Sequence, residues 1–267
     1  MSGILSDSKQ FHLQISEGDV GKYAILCGDP GRAPKIAEYF EKPVKVAENR
    51  EYTVYTGFLN GEKVTAASTG IGGPSAAICA EELIKCGVHT LIRTGTSGGI
   101  REDVCGGDLC IASAAVRDDG TSREYLPVSY PAVADFDVCT ALCEAARELC
   151  SGSEGDAFHV GAVQSKDSFY GETNPETMPV SGELLARWEA YKKLGCLTSE
   201  MECSALFSVA LTRGVRAGGV LLAIWNVERS KSGAESPVVL DTDKAVRCAV
   251  SATEKLILSD RHKKSLR

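Results

Sequence analysis

Short apolar runs bounded by glycine alternate along the chain with longer stretches of helical period. Residues 23–27 (Tyr-Ala-Ile-Leu-Cys) are apolar without interruption, which predicts a buried strand. Asp29-Pro30 then places a capping carboxylate before a proline at the first helical position, predicting a helix to about residue 40. Runs 52–59 and 63–68 flank Asn60-Gly61, a strong hairpin signal. Residues 75–86 carry a helical period stopped by Gly87, and 88–94 read as the next strand. The pattern goes on as a strand at 108–116, a helix at 135–150, a strand at 158–164, a polar loop to about 179 and a helix through 188. A helix at 200–213 stopped by Gly214, a strand at 218–225 and a helix at 241–258 complete it. Hairpin units mixed with crossover units predict a mixed sheet with helices on both faces. No linker or repeat divides the chain, so residues 1–267 are expected to form a single three-layer α/β/α domain.

Charge narrows the partners. The formal net charge is -7, and the one basic cluster, residues 261–267, reads as a short solvated tail, so neither nucleic acid nor an anionic membrane is expected to bind. No apolar run reaches membrane-spanning length. Eleven cysteines form no C-x-x-C pair, and Cys139, Cys143 and Cys150 fall on a helical period beside leucines. With an odd count, four histidines and no secretory signal, they read as core thiols of a cytoplasmic protein.

The candidate chemistry begins at Arg93-Thr94-Gly95-Thr96-Ser97-Gly98-Gly99, where an apolar strand opens into glycines, hydroxyls and a fixed cation. Such a run can cradle an anion. It also fits the G-x-S-x-G elbow of a serine hydrolase, but no helix follows at once and no histidine stands where a triad needs one. Gly70-Ile71-Gly72-Gly73-Pro74-Ser75 approaches a dinucleotide fingerprint, with Ser75 in place of the third glycine. A phosphate reading accounts for more residues: Gly28-Asp29-Pro30-Gly31-Arg32 ends the first strand, and Arg93 with Thr96 ends a later one. If those strand ends are neighbours, two guanidiniums converge on one tetrahedral anion. Ser199-Glu200-Met201-Glu202, at a predicted helix start, offers carboxylates that can accept from a vicinal diol.

Seven ordered segments carry a resemblance: Phe11-His12-Leu13, residues 28–32, Asn49-Arg50-Glu51-Tyr52, residues 68–75, Arg93-Thr94-Gly95-Thr96, Phe136 with residues 131–135, and Glu200-Met201-Glu202. From about His12 to the last helix, the chain resembles the bacterial uridine phosphorylases of the hexameric nucleoside phosphorylase family. Lys166-Asp167-Ser168-Phe169-Tyr170-Gly171 brings it nearest to the forms of Gram-positive bacteria. The resemblance implies reversible phosphorolysis in nucleoside salvage, uridine and phosphate giving uracil and ribose 1-phosphate. The alternatives are a purine nucleoside phosphorylase of the same family or a non-catalytic nucleoside-binding relative. By this resemblance Gly28, Arg32, Arg93 and Thr96 hold phosphate, with Arg50 reaching in from a neighbouring subunit. Glu200, Met201 and Glu202 hold ribose, with the neighbour's His12 at the 5' hydroxyl. Self-association as a dimer within a hexamer follows. Glu51, Ile71 and Ser75 match a monovalent cation site, potassium, at the dimer interface of some relatives; no other metal and no cofactor is expected, phosphate being a co-substrate. The base lies by analogy against Gly98 and Phe169. There the chain departs from the family, whose uracil readers place a glutamine and an arginine in the loop after that phenylalanine. Here the loop reads Gly171-Glu172-Thr173-Asn174-Pro175-Glu176-Thr177, leaving Glu172 as acceptor and Lys166, Asn174 or Arg229 as donors. Purine-cleaving relatives carry an aspartate where this chain has Asn226.

Overall fold

The computed structural model describes residues 9–151 and 157–265. In chain order, among the described residues, the elements are β1 (Tyr23–Cys27), α1 (Ala33–Ala37), β2 (Glu41–Asn49), β3 (Tyr52–Leu59), β4 (Glu62–Ser68) and α2 (Gly73–Lys85). They continue with β5 (Thr90–Gly99), β6 (Leu109–Asp118), α3 (Thr121–Tyr125), β7 (Ala132–Val133), α4 (Phe136–Cys150) and β8 (Phe158–Lys166). Last come α5 (Phe169–Thr173), α6 (Ser181–Lys193), β9 (Thr198–Glu200), α7 (Cys203–Arg213), β10 (Arg216–Asn226), α8 (Val227–Ser232) and α9 (Asp243–Ser265).

One mixed sheet joins all the strands, in the order β10-β6-β8-β9-β5-β1-β4-β3-β2 with β7 beside β6. A further pairing of β10 with β5 closes five strands into a ring, with β2, β3, β4 and β1 extending from it as an open sheet. Two apolar cores lie on the two faces. One packs Leu83 of α2 and Leu206 and Phe207 of α7 against Leu26 and Leu91. The other packs Ile36 of α1, Leu142 of α4 and Leu256 of α9 against Ile25 and Ile92. The three-layer α/β/α expectation is what the chain forms, since a two-faced buried sheet needs an apolar helix layer on each side.

The hairpin is where Asn60-Gly61 placed it, with both residues at positive φ (49° and 70°). The differences from expectation have local causes. Residues 41–49 form an edge strand, β2, whose lysines and Pro43 suit an unpaired edge but weaken its apolar alternation. The strand expected at 88–94 runs on to Gly99, because β10 and β9 pair with its glycine-rich half. The helix expected from residue 200 starts at Cys203, since residues 198–200 are claimed by the sheet as β9. The polar segment after Lys166 contains α5, capped by Ser168 Oγ accepting from Gly171 N (2.9 Å), and a 3-10 turn at Pro175–Thr177. The basic tail is helical through Ser265; Lys263 reaches Asp137 (2.6 Å) and Arg261 lies 3.8 Å from Glu62, so this part docks rather than standing free. Its last two residues lie outside the described residues.

Candidate active site

The first strand and the fifth are immediate parallel neighbours, Leu26 standing opposite Arg93. Their carboxyl ends therefore bring Gly28 and Arg32 to the same cleft as Arg93 and Thr96. This cleft, about 1210 Å³, is also lined by Gly98, Phe169, Lys166, Glu172, Glu200, Met201 and Glu202. Sites at strand carboxyl ends are the general rule for such sheets.

Arg93 is the centre of the charge arrangement. It is 4% exposed; its Nε donates to Glu200 Oε2 (3.1 Å), its Nη2 donates to Glu202 Oε2, and its Nη1 is buried without a partner in the protein. Burial alone would favour loss of its proton, but the Glu202 and Glu200 carboxylates beside it hold the guanidinium above its usual range. Gly95 makes room for this fork, because a β-carbon there would stand 2.9 Å from Arg93 Nη2. Thus the glycine read as an anion cradle serves the arginine next to it.

The acidic segment turns between β9 and α7, which is how two carboxylates two residues apart reach one guanidinium. Glu200 was expected to bind ribose, and this expectation needs correction. Its carboxylate accepts from the backbone of Glu202 (2.9 Å) and Cys203 (2.9 and 3.0 Å), from Ser165 Oγ and from Arg93, so it caps α7 and holds the arginine. Glu202 is freer: Oε1 accepts from Gly72 N (2.6 Å) and Oε2 from Arg93, leaving lone pairs on both oxygens for hydroxyl donors. Burial pushes its carboxyl above the usual carboxylate range, with Arg93 opposing. The glycine loop that approached a dinucleotide fingerprint thus gives an amide to Glu202.

Toward the base end, Lys166 and Glu172 are not solvated charges. Lys166 Nζ is 2.6 Å from Ser199 Oγ and 3.0 Å from Glu172, whose carboxylate also accepts from Ser199. Phe169 is 55% exposed and lies edge-on to Tyr170 (5.4 Å, 87°). At Gly98 nothing stands within 4 Å of where a β-carbon would be, leaving open space above the strand.

Four expected residues, His12, Arg50, Asn174 and Arg229, do not line this chain's cleft. Arg229 is the correction: its guanidinium donates to the carbonyls of Glu235 (2.7 Å) and Glu102 (2.6 Å), which turns it away from the base region. Arg50 is exposed at the tip between β2 and β3, with φ +55°. His12 Nδ1 pairs with Glu82 (2.7 Å), which also accepts from the backbone of His12 and Leu13. Asn226 is wholly buried; its carbonyl caps α8 and its amide donates to the carbonyls of Arg101 and Val104, both 2.8 Å. Asn226 is thus a structural cap.

Glu51, Ile71 and Ser75 all line this cleft, and Ser75 Oγ donates to the Ile71 carbonyl (3.1 Å). Ser97, weighed as a nucleophile, is a strand residue donating to Leu222 O (3.3 Å). Sequence reading passed over Gln164, Asp118 and Arg187, which also line the cleft. The missed signal was strand alternation: once β8 runs to Lys166, Gln164 and Lys166 share a face.

A family model described as the Phosphorylase superfamily matches residues 22–258. A uridine phosphorylase of Treponema pallidum is 48% identical, covering 97% of this chain and 99% of its own length. A uridine phosphorylase of Escherichia coli is 37% identical over 95% of this chain and all of its own length. A guanosine phosphorylase of Halorubrum lacusprofundi is 38% identical over 93% of this chain and all of its own length.

Proposed function

Because the chain belongs to the phosphorylase superfamily, we propose that it cleaves uridine with inorganic phosphate, releasing uracil and ribose 1-phosphate, in the manner named for its bacterial relatives. The observation that carries this reading is Arg93 Nη1, a buried donor on a permanently charged group with no protein partner. It lines one cleft with Arg32, the Gly28 backbone and Thr96, a donor set that suits a tetrahedral anion. Glu202, one residue-width away through Arg93, accepts from the vicinal hydroxyls of the ribose, and Met201 lies alongside. Holding both substrates sets phosphate beneath the anomeric carbon as the glycosidic bond lengthens. The sugar gains positive charge and the base negative charge, so positioning and fixed cations suffice and no side-chain nucleophile is needed.

Phe169 and Gly98 border the base, and Lys166 lines the same cleft as a donor for its carbonyl oxygens. Neither Arg50 nor His12 lines this chain's cleft, which fits a role in a second copy's site, within a dimer of a hexamer. Glu51, Ile71 and Ser75 provide only oxygens, the donor type that a potassium ion takes. Free thiols at all eleven cysteines fit a cytosolic location, and no helix among the described residues is long and apolar enough to cross a membrane. A panel of nucleosides assayed with and without phosphate tests the reading. Phosphate-dependent release of uracil from uridine is expected; cleavage of inosine with none of uridine would overturn the substrate.

A further inference from the structure

The base end of the cleft holds a second buried polar atom without a partner. Gln164 is 5% exposed and lines the cleft; its Nε2 donates to Asp118 Oδ2 (2.9 Å), while its Oε1 meets no donor in the protein. The amide is held in this sense by chemistry, since only the NH2 group can donate to a carboxylate. Asp118 is itself fixed by Arg187 Nη1 from α6. An orphan acceptor this deeply buried costs stability unless something else donates to it.

Its neighbours supply the rest of the pattern. Gln164 and Lys166 are two apart on β8 and share a face, whereas Ser165 between them points the other way, to Glu200 and the amide of Ser204 (2.9 Å). Lys166 uses two of its three donors on Ser199 and Glu172. Glu172 accepts from both Lys166 and Ser199, so its charge is engaged. A bare carboxylate beside a departing base anion would oppose the charge that develops there, whereas an amide carbonyl does not.

The strand order puts this pair at the correct end of the substrate. From β1 through β5 and β9 to β8, the sheet presents the arginines, then Gly98 and Glu200, then Gln164 and Lys166. A molecule with phosphate at the β1 side and its sugar at Glu202 carries its base toward β8.

Resting on the phosphorolysis reading above, we propose that Gln164 Oε1 accepts a ring N–H of the base while Lys166 Nζ donates to the carbonyl next to that N–H. The site therefore takes bases with a C(=O)–NH edge, as in uracil, and rejects those presenting an amino group beside a bare ring nitrogen, as in cytosine. This replaces the glutamine and arginine that the loop after Phe169 lacks. Gln164 acts by direct contact, and Asp118 is a positioning residue that keeps the carbonyl toward the base.

Uridine is compared with 3-methyluridine, which lacks only the N–H, for the wild type, Gln164→Met and Gln164→Glu. The wild type is expected to prefer uridine in kcat/KM by about a hundredfold or more, as sites built to pair a donor do. Gln164→Met is expected to lose most of that preference by losing uridine activity, with the KM for phosphate unchanged. Gln164→Glu keeps an acceptor but loses the Nε2–H donor to Asp118 and brings a carboxylate to the departing base, so kcat/KM is expected to fall for both nucleosides while uridine stays preferred over 3-methyluridine. A wild type that cleaves both nucleosides alike, or a Met variant that discriminates as the wild type does, would overturn the proposal while leaving phosphorolysis standing. Should the Met variant fail to fold, the wild-type ratio and the Glu variant still decide. A wild type with no phosphate-dependent turnover of any nucleoside removes the phosphorolysis reading, and this subsite with it.

Discussion

Arg93 ties together the two carboxylates of the cleft, Glu200 and Glu202. Its fork spans Glu200 and Glu202 and leaves Nη1 without a protein partner, so under the proposed function anion binding and ribose binding share a charge network. Arg93→Lys keeps the charge but cannot make the planar fork, and it should lower kcat/KM by about 10²–10³-fold in steady-state assays. Glu202 adds a pH dependence whose sign follows from burial. Its raised pKa means that it takes up a proton, and stops accepting from the ribose hydroxyls, at a higher pH than an ordinary carboxylate does. A profile of kcat/KM against pH should therefore fall on the acid side with a midpoint above about 4.3, the ordinary glutamate value; a profile flat to that pH would contradict the role. Among the thiols, burial holds Cys27 up to about 12, whereas a hydrogen bond from Cys139 brings Cys143 below the usual thiol range. Iodoacetamide at neutral pH should label Cys143 well before Cys27, as mass mapping of peptides would show.

At the scale of elements, the hairpin between β3 and β4 was legible because its turn residues leave few alternatives. Gly61 sits at φ +70° with space around it, so Gly61→Ala meets no clash and pays only backbone strain. It should cost about 1–2 kcal/mol in denaturant unfolding, with catalysis unchanged. The short β9 was not legible: three residues carry too little pattern, and only pairing with both β5 and β8 makes them a strand. That same pairing decides the acidic segment, since moving the helix start from 200 to 203 lets Glu200 cap α7. In the same way, the polar run after Lys166 became α5 through a serine cap, a signal hidden behind its loop-like composition.

For the whole molecule, the proposal that Arg50 serves a second copy's site predicts complementation. Arg50→Ala and Arg93→Lys proteins, each impaired, should regain activity when dissociated and reassembled together, because some mixed interfaces then hold one intact site. Activity no higher than that of the separate proteins would argue for self-contained sites. Sequence by itself determined the α/β class, the hairpin, most helices and strands, and it singled out Arg32, Arg93, Thr96 and Glu202, which the fold gathers in one cleft, because these rest on local periodicity, turn chemistry and short motifs. Tertiary structure alone decided that β1 and β5 are neighbours, that β10 closes a ring with β5, that Glu200 supports Arg93, that Arg229 turns away, and that Gln164 stands with Lys166 in the cleft. Those facts depend on which strands pair and on which side chains consume one another's hydrogen bonds. Both are settled between residues far apart in the chain, beyond the reach of any local pattern.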